Sequence, residues 1–70
     1  MNLEFIKEEI TKNKNCEVTI TVYGMRGKTN TYHGIIHGIY PNIFTIIESG
    51  IEKSFSYSDA ITGDIRIKYE

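Results

Sequence analysis

Cysteine, proline, leucine and alanine each occur only once in these 70 residues. The lone Cys16 cannot close an internal disulfide, and a secreted domain of this size would normally carry several bridges. No apolar run approaches the roughly 20 residues needed to cross a bilayer. The amino terminus lacks the basic-then-apolar pattern of a signal peptide, and there is neither an Asn-x-Ser/Thr acceptor nor a lipidation box. These absences set the expectation of a cytoplasmic protein with no membrane partner. Net charge is equally scarce. Eight basic against nine acidic side chains leave −1, so bulk electrostatics recruits neither nucleic acid nor an anionic surface. The length allows one domain, 1–70, with no room for a cofactor-binding half beside a substrate-binding half. Internal repeats and low-complexity segments are missing as well.

What the chain does have is β-branched residues. Thirteen isoleucines, two valines and seven threonines make up nearly a third of it. Such side chains suit a pleated, half-buried surface and lose rotamer freedom in a helix, so the protein is expected to be mainly β. The exception is the start. Leu3, Ile6 and Ile10 recur with helical spacing, Asn2 is a good N-cap, Glu4 suits the first turn, and Glu8–Lys12 is a correctly ordered i, i+4 pair. A helix is predicted over about 3–12, ended by Asn13-Lys14-Asn15.

Strand patterns follow. Cys16, Val18, Ile20 and Val22 alternate with Glu17, Thr19, Thr21 and Tyr23, which predicts a strand with the first set inward. Gly24–Lys28 reads as a turn. A longer strand from about Thr29 to Tyr40 is interrupted by Gly34 and Gly38, where glycine marks a bulge, bend or close approach. Pro41-Asn42 turns the chain into a strand over Ile43–Glu48. Ser49-Gly50 begins a loop, Ser54–Tyr57 a short strand, Ser58-Asp59-Ala60 a helical turn, and Ile65, Ile67 and Tyr69 alternate in a fifth strand. Five bent strands over about 16–70 suit a partly open small barrel of the SH3-like or Sm-like kind, its end plugged by Leu3, Ile6 and Ile10. A free strand edge in such a barrel offers a route to a homodimer.

Chemistry-bearing constellations are thin. Gly24–Thr29 superficially suggests a phosphate loop, but two residues separate its glycines where four are needed, and a strand follows the lysine instead of a helix. His33 and His37 lie about 13 Å apart along a strand, too far to share a metal with bonds near 2 Å. Cys16, in the inward phase, is placed as a small hydrophobe and not a nucleophile. The expectation is no catalytic, metal or cofactor site. The sharper feature is the first hairpin. Residues 7–28 carry five cations against three anions, while 29–70 carry three against five. Tyr23, Arg26, Lys28 and Tyr32 there combine aromatic area with charge, and Tyr and Arg are common interface anchors. They form the candidate interaction surface. A protein partner is favoured over nucleic acid, because two or three neutralised phosphates give only weak, salt-sensitive binding.

Two strings stand out as structural signatures. In Tyr40-Pro41-Asn42-Ile43-Phe44, Pro41 fixes a tight turn and Phe44 can enter the core. In Ser56-Tyr57-Ser58-Asp59, Asp59 can bond turn amides before the last strand. Together with Ile6-Lys7, Ile10, Arg26-Gly27-Lys28, Gly34 and Ile61-Thr62, they make the chain similar to the Veg family of small bacterial proteins, described as stimulators of biofilm formation. The basic run in the first hairpin is thinner here than in the family. The resemblance implies a cytoplasmic, non-enzymatic regulatory protein of small-barrel fold, without cofactor. It further implies promotion of matrix production through a protein–protein interaction that opposes a transcriptional repressor.

Overall fold

The computed structural model describes residues 2–24 and 27–70. Its order is α1 (Leu3–Lys12), β1 (Glu17–Tyr23), β2 (Thr29–Ile39), β3 (Ile43–Glu48), β4 (Ile51–Ser56), α2 (Tyr57–Thr62) and β5 (Ile65–Tyr69). Helix α1 forms where the stripe and caps predict it. The Asn2 side chain accepts from the Phe5 N–H at 2.8 Å, Glu4 lies in the first turn and Lys12 in the last. At the far end the Asn13 amide donates to the Glu9 carbonyl. Ile6 and Ile10 are buried, whereas Leu3, one turn nearer the helix start, stays exposed and takes no part in plugging the sheet.

The strands form one antiparallel sheet in the order β4-β3-β2-β1-β5. β2 is its spine. Residues 29–35 pair with β1, and residues 35–39 pair with β3 through a register shift between Ile36 and Ile39. Gly38 falls within this shift and Gly34 lies just before it. Gly34 meets the Ile47 carbonyl, and Gly38 lies beneath the Tyr40 ring and the Thr45 hydroxyl. The Gly38 N–H donates to Thr45 Oγ1 at 2.8 Å, so a side chain supplies an acceptor where the ladder is interrupted. The sheet bends there but is not closed into a barrel. β4 and β5 remain its two ends, and α2 touches both of them and α1. The helix fills the gap that strand pairing would have to close.

The core gathers Ile6, Ile10, Val18, Ile20, Ile36, Phe44, Ile46, Tyr57 and Ile65 on the inner face of the sheet. Each large apolar side chain fully buried there contributes about 1.5–3 kcal/mol. Inward alternation holds for Val18 and Ile20, but Cys16 is exposed, contrary to its sequence phase. Asn15 adopts φ +69, its N–H donates to the Ile36 carbonyl at 2.9 Å, and the Ile36 N–H donates to the Cys16 carbonyl at 3.1 Å. Two residues thus oppose one, and this bulge resets the phase before β1 begins. β4 also starts three residues earlier than its pattern suggests. Ser49 and Gly50, with φ of +51 and +82, make a two-residue hairpin turn directly into Ile51.

Candidate functional site

The two tyrosines of the first hairpin lie on opposite faces of the sheet. Tyr23 ends β1 in register with Thr29, in phase with the outward Thr19 and Thr21, and is exposed. Tyr32 pairs with the buried Ile20 and so belongs to the inner face. Its ring stands 5.7 Å from Phe55, and the Lys53 ammonium sits 5.0 Å from its centroid. Phe55 continues to Phe44 and Phe44 to Tyr57, each with centroids 5.7 Å apart. Tyr32 is therefore the outer member of a four-ring row running through the core. Lys28 is exposed, and its carbonyl accepts from the Gly24 N–H at 2.6 Å, closing the hairpin. Arg26 lies outside the described residues. The structure brings Tyr23 and Lys28 to one exposed hairpin end and directs Tyr32 away from them.

The signature residues fall at a close strand approach, at a turn, in the core and on α2. Gly34 allows close approach of β3, Pro41 occupies the exposed turn after β2, and the Tyr40 N–H donates to the Ile43 carbonyl across that turn. Phe44 and Tyr57 are fully buried. Burial raises the Tyr57 phenol pKa, and the nearby Tyr40 backbone offsets part of the shift. That backbone N–H is already engaged with Ile43, and the buried Tyr57 hydroxyl has no hydrogen-bond partner. Among the described residues the Asp59 side chain accepts from no backbone amide. Ser56 is the cap of α2, accepting from the Ser58 N–H at 3.2 Å, while the Asp59 backbone carbonyl accepts from the Thr62 hydroxyl. The Thr62 hydroxyl also donates to the Asp64 carboxylate at 2.9 Å, and Gly63 ends the helix in the left-handed region.

One polar cluster includes none of the candidate site residues. On the outer face the Thr19 hydroxyl lies 3.0 Å from His33 Nδ1 and 2.5 Å from Glu70 Oε2, and the Glu48 carboxylate accepts from the His33 N–H at 2.9 Å. Its signal is the register that sets Thr19 opposite His33, which becomes readable only once the hairpin turn is fixed. Acid and imidazole both converge on the hydroxyl. A nucleophile–base–orienter relay would instead place the imidazole between the other two. The cluster ties the last residue of the chain to the centre of the sheet. Among the described residues, no three His, Cys, Asp or Glu side chains are placed to hold a metal ion, and no helix is long and apolar enough to cross a membrane.

The family model described as biofilm formation stimulator VEG matches residues 1–68. The chain belongs to the Veg family. The match covers the capped helix, β1 to β4, β5 as far as Lys68 and both signature strings, and it supports a role in stimulating biofilm formation. The Veg match spans the hairpin that carries Tyr23 and Lys28. A search of the curated proteins finds no match.

Proposed function

We propose that this Veg-family chain is a non-enzymatic regulator that promotes biofilm matrix production by binding a regulatory protein and opposing a transcriptional repressor. The observation that carries the reading is the family match over residues 1–68. The contact surface is the first hairpin, where Tyr23 offers exposed aromatic area, Lys28 is exposed, and the sequence supplies a second cation in Arg26, which lies outside the described residues. A repressor acts on DNA in the cytoplasm, so the same reading places this chain there.

Nucleic acid is the less favoured ligand of that hairpin. Stacking on single strands uses aromatic faces beside cations, and Tyr32 is already committed to Phe55 and Lys53. The deciding experiment is affinity capture from nuclease-treated lysate with wild type beside the Arg26→Ala plus Lys28→Ala variant. The expected result is a DNA-binding repressor retained by wild type and lost by the variant. In cells, deleting the gene should lower matrix-gene transcription when that repressor is present and change nothing when it is absent. Capture that vanishes with nuclease, or a transcriptional effect that persists without the repressor, would overturn the proposal.

A further inference from the structure

β5 combines an unpaired edge with a groove beside it. The groove, about 270 Å³, is bounded by Ile6 and Glu9 of α1, Ala60 of α2, and Ile65, Ile67 and Tyr69 of β5. Its lining is mainly apolar, with Glu9 and Arg66 as its charged members; the Glu9 charge, after burial, helps push the Tyr69 phenol up to about 12.

Register determines what the edge offers. The Tyr23 N–H donates to the Asp64 carbonyl at 2.9 Å, and the Glu70 N–H donates to the Glu17 carbonyl at 3.1 Å. Opposed residues in an antiparallel pair alternate between bonded and non-bonded. Thr21–Arg66 and Thr19–Lys68 are therefore the bonded pairs, and the backbone groups of Ile65, Ile67 and Tyr69 point away from β1. Ile65 is buried near α2. Ile67 and Tyr69 are half-buried, and among the described residues no backbone partner outside the sheet ladder takes up their outward groups.

A strand laid antiparallel on this edge would send the side chains opposite Ile67 and Tyr69 into the groove. Those opposite Arg66 and Lys68 would emerge on the outer face. Both cations are exposed, and among the described residues neither makes an ion pair. Carboxylates in the alternate positions would meet them at the short spacing of a non-bonded pair. Carboxylates in the groove positions would face Glu9.

We propose that the β5 edge and its groove bind, by strand addition, an extended segment of a partner protein in which apolar residues alternate with Asp or Glu. This mode uses main-chain bonds for affinity and side-chain pockets for selection. It is independent of the hairpin surface and of the repressor.

A second copy of the chain is a poorer occupant. β5 on β5, in any antiparallel register centred on Arg66, Ile67 or Lys68, sets a cation opposite a cation. β4 on β5 has a different fault. The Glu48–Ile51 pair closes the two-residue turn, so the outward backbone groups of β4 belong to Glu52 and Ser54, which carry outer-face side chains. On β5 the outward groups belong to inner-face residues. An antiparallel ladder between them would turn Glu52 and Ser54 to the groove side, toward Glu9, and set Lys53 on the side of Arg66 and Lys68.

The test uses the acetylated and amidated peptide Ile-Glu-Val-Glu-Ile, fluorescently labelled, with the full chain. Anisotropy should show saturable binding, and amide shift changes should centre on Ile67–Tyr69. Methylating the central Val nitrogen should abolish binding. Arg66→Glu plus Lys68→Glu should weaken it at least about tenfold, and the Ile-Lys-Val-Lys-Ile peptide should bind that variant better than wild type. Any of four results would overturn the proposal: no binding to folded protein at about 1 mM peptide, indifference to N-methylation, shifts centred on β4 or the first hairpin, or a dimer with the β5 amides already protected. Repressor capture unaffected by the Arg66 and Lys68 reversals would leave the hairpin reading standing, so the two ideas fail separately.

Discussion

Gly34 sits so close to the Ile47 carbonyl that a Cβ placed on it would lie 2.5 Å from the oxygen. Real Cβ atoms do not tolerate that approach, and the obstacle is backbone, which cannot swing aside as a side chain can. Gly34→Ala must therefore push β3 from β2 just before the elbow of the sheet. The expected loss is about 1–3 kcal/mol, the range for overpacking a well-packed site, read as a lower urea midpoint at unchanged m value. Gly50→Ala provides the contrast. Its position is open, but its φ of +82 is strained for a side chain, so the cost should be nearer 1 kcal/mol.

Tyr57 is fully buried with a hydroxyl that finds no partner, while its ring stacks on Phe44 at 5.7 Å. Ring and hydroxyl thus contribute with opposite signs. Tyr57→Phe keeps the stacking and removes an unsatisfied polar atom, a group that costs about 1–3 kcal/mol when stranded. Stability should stay level or rise. Tyr57→Ala removes the ring as well and should cost about 3–5 kcal/mol. Thermal unfolding of the two variants beside wild type checks both signs, and a marked loss for the phenylalanine variant would mean that the hydroxyl is bonded in solution.

Tyr69 has its pKa raised to about 12 from 10.0 by burial and, secondarily, by the Glu9 carboxylate. A pKa higher in the folded than in the unfolded chain means that folding favours the protonated phenol. The associated stability is complete below pH 10 and is lost as pH rises through about 12. Tyr57 shifts in the same direction through burial. Alkaline unfolding should therefore accompany phenolate formation. Glu9→Gln should lower the Tyr69 midpoint while leaving it above 10.0, as read by ultraviolet titration of single-tyrosine-to-phenylalanine variants.

How far the sequence is legible depends on how local each determinant is. α1 is readable because its stripe and its Asn2 cap lie within its own residues. β3 and β5 are readable because neither contains an interruption. Errors arise where the phase resets. The bulge at Asn15 turns Cys16 outward, and the two-residue turn at Ser49-Gly50 recruits Ile51–Lys53 into β4. Tyr23 and Tyr32 flank one hairpin in the sequence, yet the Ile20–Tyr32 register sends their rings to opposite faces. The unclosed sheet is a matter of tertiary arrangement. That α2 fills the gap between β4 and β5 has no counterpart in any one segment's pattern.

The interruption between β2 and β3 gives the most discriminating substitution. The buried Thr45 hydroxyl accepts from the Gly38 N–H at 2.8 Å, taking the place of a ladder carbonyl. Thr45→Val preserves shape and β propensity but removes the acceptor, leaving a buried N–H unpaired at about 1–3 kcal/mol. Thr45→Ser keeps the oxygen and loses a methyl group, a change worth about 0.8 kcal/mol. If the hydroxyl bond is what sustains the elbow, valine must be the more damaging of the two despite being the more hydrophobic. Hydrogen exchange at the Gly38 amide should accelerate in the valine variant and stay slow in the serine variant. The reverse order would show that packing of the Thr45 methyl group, and not its hydrogen bond, holds β2 and β3 together where the ladder breaks.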